Sequence, residues 1–385
     1  MSTIQAEAPP TDEIYNGVEN PLTGLSPQQL EEIGREFDAI HDEVYADLGD
    51  RDARYIRSTI RLHRQLVLAA RALLMGSRHK PLWLAGTASL SLAKILENME
   101  IGHNVMHGQW DWMNDPDINS KNWDWDTASP ADAWRHSHNY EHHTFTNIRG
   151  KDRDLGYEIM RIDPHQKWHP IYLLQPFYNL ILMGFFEWGV ALHDLNGDAI
   201  RKGEKPKEQV LEELKAIGVK ARRQFIKDYV AFPALSGRRN FKSTLAANFT
   251  ANIVRNVWAY SIIFCGHFPD QTFTFSEEEV ADESRGGFYV RQLLGAANID
   301  GGPLFHLLAG NLSFQVEHHL FPDMPSSRYA EIAPRVREIC NRYGLPYNTG
   351  PLHRQLGTVH RTILRLALPG GRVRPKPGPY RPEPV

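Results

Sequence analysis

The chain has 385 residues, and its 43 lysines and arginines nearly balance its 46 aspartates and glutamates. This balance excludes a general affinity for nucleic acid or another acidic polymer. The only cysteines are Cys265 and Cys340, which lie in no Cys-x-x-Cys pair. A disulfide framework is therefore excluded, and a metal site would have to use histidine.

Both ends of the chain are polar and contain prolines. This composition predicts disordered segments at residues 1–25 and 368–385 around a helical domain at 26–367. The N-terminal stretch has no basic start followed by an apolar run, so we expect no cleaved export signal and a largely cytoplasmic chain. Ser26, Pro27 and Gln29 form a helix start with a capping box, and amphipathic helices should follow to about Met75.

Two apolar stretches are candidates for membrane-spanning helices, although the mean hydropathy of -0.44 is that of a soluble protein. Residues 168–186 contain no Asp, Glu, Lys or Arg, and they are long enough to cross ~30 Å of hydrocarbon. Residues 243–269 are interrupted by Arg255 alone, which would cost roughly 2.5 to 3.5 kcal/mol at mid-bilayer unless it is paired. Residues 66–76 and 81–103 are weaker candidates that fit buried helices equally well.

Between these stretches, residues 203–230 place opposite charges at i,i+4 spacing, which predicts a solvent-exposed charged helix. The chain has no internal repeat, and no stretch strongly indicates a sheet. The pattern as a whole predicts a helical architecture.

Seven of the 18 histidines fall in three tight groups. In a helix, residues at i,i+4 share a face, whereas adjacent residues point about 100° apart. Each adjacent pair could therefore serve two ions rather than one. The groups are His103 and His107 in "HNVMH", His138, His142 and His143 in "HSHNYEHH", and His318 and His319 in "QVEHH", which Gln315 opens.

Each histidine group adjoins an apolar segment, where unpaired imidazoles are costly. Imidazole suits zinc, copper, iron and nickel, but seven or more nitrogen ligands exceed what one zinc ion takes. The pattern predicts a pair of redox metals.

The order HxxxH, HxxxHH about thirty residues on, and QxxHH near the C-terminal end resembles the membrane fatty acid desaturases of the histidine-box, di-iron type. The flanking "HHTFTN" and "EHHLFP" add to the likeness, which covers roughly residues 66–350. The same boxes occur in related hydroxylases and ketolases. The resemblance implies an all-α integral membrane bundle, with about four transmembrane helices in two hairpins and a cytosolic helical cap that holds a di-iron site.

The resemblance also implies which residues bind the two non-haem irons. His267, in "FCGHFPD" after an apolar stretch, takes the place of the family's additional ligand, and Gln315 stands where many relatives have a histidine. Gln315 is therefore expected either to bind metal or to hydrogen bond to a ligand. The implied ligands are His103, His107, His138, His142, His143, His267, His318 and His319.

Other residues near the boxes have open roles. His306 is expected to be a packed histidine, with a place in the metal cavity as its alternative. Asp111 and Asp124 are candidates to accept hydrogen bonds from imidazoles. The five tryptophans of residues 110–134 are expected either at a membrane interface or along a substrate tunnel.

The function implied is O2-dependent desaturation of a long acyl chain carried on coenzyme A, acyl carrier protein or phospholipid. A separate ferredoxin or iron-sulfur flavin reductase would supply electrons, and the enzyme would lie in the cell membrane, among lipid, with its site facing the cytoplasm. Alternatives are an acyl or lipid hydroxylase on the same scaffold and a non-catalytic membrane protein that binds metal or haem. No nucleic acid partner is expected.

Overall fold

The computed structural model describes residues 20–371. The predicted disordered segments, 1–25 and 368–385, therefore lie outside the described residues except for their inner edges. Ser26 caps the first long helix and exchanges hydrogen bonds with Gln29, which confirms the predicted capping box. Pro27 occupies the first helical position, where its missing N–H costs nothing.

The first half of the described chain is helical, and two of its helices pass into wider π-helical turns. Its helices are α1 (Pro27–Ala46), α2 (Asp50–Leu74), α3 (Lys80–Leu96, continued by the π-helix Glu97–His103 and by Asn104–Met106), α4 (Ala131–Trp134, continued by the π-helix Arg135–His142 and by His143–Phe145), α5 (Gln175–Gly184) and α6 (Phe186–His193).

The second half adds the remaining helices and two short strands. These are α7 (Gly197–Lys202), α8 (Lys207–Phe225, continued by the π-helix Ile226–Ala231 and by Phe232–Leu235), α9 (Phe241–His267), α10 (Arg285–Gly295), β1 (Asn298–Asp300), α11 (Pro303–Leu308), α12 (Gln315–Leu320), α13 (Tyr329–Tyr343), β2 (Thr349–Pro351) and α14 (Leu352–Leu366). Sequence analysis missed the strands, which pair in parallel with Ile299 opposite Gly350.

Two apolar cores hold the helices together. In one, α1, α10, α12 and α13 meet around side chains such as Phe37, Val316 and Ile332. In the other, α9 packs against α5, α6 and α14 through Phe264, Phe186 and their neighbours. The helices that carry the histidine groups lie against these two cores, so the packing fixes their relative positions.

The predicted membrane-spanning bundle is wrong for the part of the chain that the structure describes. Helices α2 and α3 pack as a hairpin with α9 beside them, but no helix within residues 20–371 combines the length and the apolar character needed to cross a bilayer. Stretch 168–186 is divided between a 3-10 helix, α5 and α6, with a break at Phe185. The weaker candidates, 66–76 and 81–103, carry Arg71 and Lys94 within α2 and α3.

Stretch 243–269 forms the continuous helix α9, but buried polar side chains interrupt its apolar surface. Among them, Arg255 pairs with Glu187 of α6 at 2.5 Å. In a neighbouring buried network, Lys94 lies 2.9 Å from Asp228 and 3.4 Å from Asp126. These helices therefore pack through ion pairs as well as through apolar contacts. The predicted charged helix is confirmed as α8, which has few buried residues.

Candidate metal centre

Three histidines of the motifs "HNVMH" and "HSHNYEHH" lie in π-helical turns, and His107 and His143 follow shortly after these turns. His103 ends the π-helix that extends α3, and the π-helix that extends α4 carries His138 and His142. Such turns widen a helix locally and occur frequently at functional sites. The third group lies on the short helix α12, and His267 is the last residue of α9. Four separate segments therefore converge on one buried region.

The histidines form two groups, each compact enough to hold one ion. The first group contains His103, His107, His138 and His318, and one ring nitrogen from each lies within 4.8 Å of those of the others. The second group has the same spacing and contains His142, His267 and His319. The adjacent pair His318 and His319 is thus divided between the two groups.

His143 lies between the groups. Its ring centroid is 4.7 Å from that of His107 and 4.5 Å from that of His319. All eight histidines that the resemblance implies as ligands therefore meet in this region. Their role as metal ligands remains a prediction.

Hydrogen-bond acceptors fix the orientation of five of these rings from outside the centre. Each contacts Nδ1, which leaves Nε2 as the nitrogen with a free lone pair. The contacts are His103 with Asn104 Oδ1 (3.1 Å), His138 with Asp154 Oδ2 (3.3 Å), His142 with Asp152 (3.1 Å), His318 with the Tyr329 hydroxyl (3.1 Å) and His319 with Gln292 Oε1 (2.9 Å).

For His318 and His319, the other hydrogen bonds of Tyr329 and Gln292 show that the ring is the donor. Tyr329 donates its hydroxyl proton to the carbonyl of Phe321, so it accepts from His318. Gln292 donates its amide to the carbonyl of His143, which turns its oxygen toward His319. His318 and His319 therefore carry their proton on Nδ1, because the bonds of Tyr329 and Gln292 to backbone carbonyls leave oxygen lone pairs facing these rings.

Several ring nitrogens of these buried histidines have no hydrogen-bond partner among the described residues. A buried polar atom left without a partner costs about 1–3 kcal/mol, so this many in one place calls for a further ligand. The atoms are Nε2 of His107, His142, His318 and His319, both ring nitrogens of His143, and Nδ1 of His267.

The electrostatics of the centre favour neutral imidazoles. Burial, together with repulsion from His138, lowers the pKa of His103 to about 3. Burial and the neighbouring rings also hold the pKa values of the other inward-facing histidines well below the usual range; these are His107, His143, His267, His318 and His319. Neutral imidazole is the form that binds metal, so the residues fit a pair of ions.

His142 behaves differently because two carboxylates lie beside it. Burial alone would lower the pKa of His142, but the charges of Asp152 and Asp154 outweigh burial and raise it. Asp152 also accepts the backbone N–H groups of Asn147 (2.7 Å) and Asp154 (2.9 Å). These bonds hold the Asp152 carboxylate in place beside His142.

Asp154, His138 and His142 are also close enough to one another to hold an ion. However, Asp154 lies on the Nδ1 side of both rings, at 3.3 Å from His138 and 3.7 Å from His142. This geometry makes Asp154 a hydrogen-bond acceptor for His138 and a charged neighbour of His142, which hydrogen bonds to Asp152 instead.

Gln315 lies beside His267. Its amide Nε2 is 3.1 Å from His267 Nε2, while its Oε1 is buried without a partner among residues 20–371. The side chain also packs against Gly266, where an added Cβ would lie 2.8 Å from Gln315 Cγ. Both expected roles, metal ligand and hydrogen-bonding partner, are compatible with this position.

A cavity adjoins the first group of histidines. Trp125 and Trp134 form part of its wall next to His103 and His138, which supports the tunnel interpretation for these two tryptophans. Trp110 instead lies fully buried in an apolar cluster with residues of α2. The other lining residues are the apolar or aromatic Met99, Tyr157, Phe186, Val190, Ala259 and Ile263, and the polar Asn98, Thr127, Ser129, Ser137, Asp154, Glu187, His193, Asp194 and Asn256.

Other candidates from the sequence lie elsewhere. Asp111 accepts from the backbone and hydroxyl of Ser120, and Asp124 pairs with Lys220, so neither contacts an imidazole. His306 bonds to Ser313 Oγ at 2.7 Å and stacks on Phe314, as expected of a packed histidine.

Sequence analysis missed the residues that orient the rings. Asp152 and Asp154 lie in "KDRDLG", shortly after the motif "HSHNYEHH". This acidic pair is a signal in the sequence that could have indicated them. Gln292 and Tyr329 carry no such local signal, because they come from α10 and α13.

Comparison with known proteins agrees with this geometry. Residues 81–351 match the family model described as fatty acid desaturase. The NADPH-dependent stearoyl-CoA 9-desaturase of Mycobacterium tuberculosis is 48% identical over 348 residues, which cover 90% of this chain and 82% of that protein. The sn-1 linoleoyl-lipid 6-desaturase of Synechocystis is 27% identical, over 70% of this chain and 76% of that protein. The non-catalytic alternative is therefore wrong, and the chain belongs to the fatty acid desaturase family of oxidoreductases.

Proposed function

We propose that the protein introduces a double bond into a saturated long acyl chain carried on coenzyme A, at the 9 position of a stearoyl group. The substrate class and position come from the relative that is 48% identical, whose name is stearoyl-CoA 9-desaturase. The observation that carries the chemistry is the convergence of eight buried histidines beside a partly aromatic cavity, seven of them in two groups and His143 between the groups.

The proposed cofactor is a pair of iron ions, one in each histidine group. Bound iron would supply the power to oxidise an unactivated methylene pair with O2 as co-substrate. The overall reaction takes two hydrogen atoms from the acyl chain and, with two electrons and two protons, reduces O2 to two water molecules. The Nε2 atoms of His107, His318 and His319 support this proposal because they are buried within the two groups without a hydrogen-bond partner among the described residues.

The protein's own contribution is to position the chain and exclude water. Trp125, Trp134 and Phe186 give the cavity flat apolar walls against which methylene groups can pack. His103 and His138 belong to both the cavity wall and the first histidine group. An acyl chain lying there would present its methylenes next to that group.

Electrons must come from a donor, and we propose a separate ferredoxin or iron-sulfur flavin reductase. The name of the relative at 48% identity specifies NADPH dependence. A reductase that oxidises NADPH is therefore the first donor to test with this chain.

We also propose that the enzyme works at the cell membrane with its metal centre open to the cytoplasm, where it would meet membrane lipid. The support is a set of exposed apolar side chains on α5, including Phe177, Leu180 and Ile181 at 69%, 59% and 63% exposure. Flotation of a cell lysate on a density gradient should recover the chain with the lipid fraction. Recovery only in the dense fractions would contradict this location.

The function is tested with purified protein, stearoyl-CoA, NADPH and a matching reductase, in the presence and absence of O2. We expect oleoyl-CoA as the product, formed only when all components are present. A hydroxylated product would favour the hydroxylase alternative. No acyl product with any saturated acyl-CoA, despite a competent donor, would refute the proposal.

A further inference from the structure

His193 is a buried histidine that belongs to none of the three histidine groups of the sequence. It ends α6, lines the same cavity as His103 and His138, and packs its ring against Tyr157. Its Nε2 donates to Asp154 Oδ1 at 2.8 Å. Its Nδ1 has no hydrogen-bond partner within the described part of the chain. The bond to Asp154 is therefore the hydrogen bond that fixes this ring, and Glu158 Oε2 lies 3.8 Å from Nδ1 on the other side.

Asp154 links the two histidine groups. Its Oδ2 atom lies 3.3 Å from Nδ1 of His138, in the first group, and 3.7 Å from Nδ1 of His142, in the second. The opposite oxygen accepts from His193. Rotation of the Asp154 carboxylate would weaken its hydrogen bond to His138 and its electrostatic contact with His142 at once.

The segment around His193 is also tied to the π-helix that carries His138 and His142. Arg153 donates to the carbonyl of His193 at 3.0 Å, and it pairs with Glu141 of the π-helix at 2.6 Å. The end of α6 thus cannot shift independently of the turn that carries His138 and His142.

From these contacts we infer that His193 is a positioning residue for both ions, acting through Asp154. It locks one carboxylate oxygen, so the other oxygen is held in its hydrogen bond to His138, and its charge is held 3.7 Å from His142, whose own hydrogen bonds go to Asp152. Outer partners of this kind typically change metal affinity 10- to 100-fold when they are removed. The inference rests on the proposed metal site, and it adds the residue that couples the two groups.

Two substitutions at this position separate hydrogen bonding from packing. His193→Met fills similar space without a donor, whereas His193→Gln retains an N–H that can reach Asp154. His306→Met is the matched control, because His306 is a partly buried histidine bonded to Ser313 rather than to Asp154.

The experiment loads the purified full chain with ferrous iron, or with Co²⁺ alone as a spectroscopic probe. We expect His193→Met to release metal to a chelator 10- to 100-fold more readily and to change the visible Co²⁺ spectrum. His193→Gln and His306→Met should resemble the wild type. A wild-type chain that binds neither ion would contradict the proposed function itself. A wild type that binds two ions, with His193→Met indistinguishable from it, would overturn only this inference.

A double-mutant comparison covers the case in which His193→Met does not fold. Asp154→Asn and His193→Phe, which keeps a ring against Tyr157 but has no donor, should each weaken metal retention, and the double variant should be no weaker than Asp154→Asn alone, because both residues act through one contact. If the folded single variants affect metal retention independently and their effects add, His193 does not act through Asp154.

Discussion

Asp152→Asn should weaken metal binding and local stability together. Both carboxylate oxygens of Asp152 lie 3.1 Å from His142 Nδ1, one also accepts from the Asn147 N–H, and the other from the Asp154 N–H. Asparagine has a similar shape but only one oxygen, so its NH2 group must face one of these backbone donors. A buried donor left without a partner costs about 1–3 kcal/mol.

The effect on metal follows from the loss of charge beside His142. Removal of an outer partner typically reduces affinity 10- to 100-fold, which is about 1.4–2.7 kcal/mol. The assay is iron retained per chain as a chelator is titrated, together with a thermal melt. Asp111→Asn is the control, since Asp111 also accepts a backbone N–H but contacts no histidine. If Asp152→Asn retained iron as firmly as the wild type, the account of these outer contacts would be wrong.

Four further substitutions, with one control, test other parts of the structure. Replacing either His318 or His319 with alanine should abolish product formation and lower the iron content, because each belongs to a different group; full turnover in either variant would show that the ring only packs. Gln315→Ala should leave measurable activity, reduced about 10- to 100-fold if the side chain acts as an outer partner, and complete loss would favour direct metal binding. Asp228→Ala removes the buried partner of Lys94 and should lower the free energy of unfolding by roughly 3–5 kcal/mol. The control Asp198→Ala removes one partner of an exposed ion pair and should change the free energy of unfolding by less than about 1 kcal/mol. Equal melting temperatures for the two variants would contradict this difference.

The sequence identified the histidines because their spacing encodes local geometry. An adjacent pair such as His318 and His319 must diverge wherever it lies in a helix, and the structure divides this pair between two groups. The capping box at Ser26 was predictable for the same reason, since its partners lie three residues apart.

Contacts between distant segments could not be read in this way. Asp154 meets His193 of α6, and Gln292 of α10 meets His319 of α12. Hydropathy also misled, because an apolar stretch does not reveal a helix break such as the one at Phe185. Helix α9 carries buried polar side chains such as Arg255. Their burial is explained only by partners on other helices, such as Glu187, which the sequence does not reveal.

The most direct test of the account is the metal content of the purified, catalytically active chain, measured by elemental analysis and Mössbauer spectroscopy. The two histidine groups predict about two irons per chain, with magnetic coupling between them. A chain that is active with a single ion, or that holds only zinc that iron cannot replace, would contradict it.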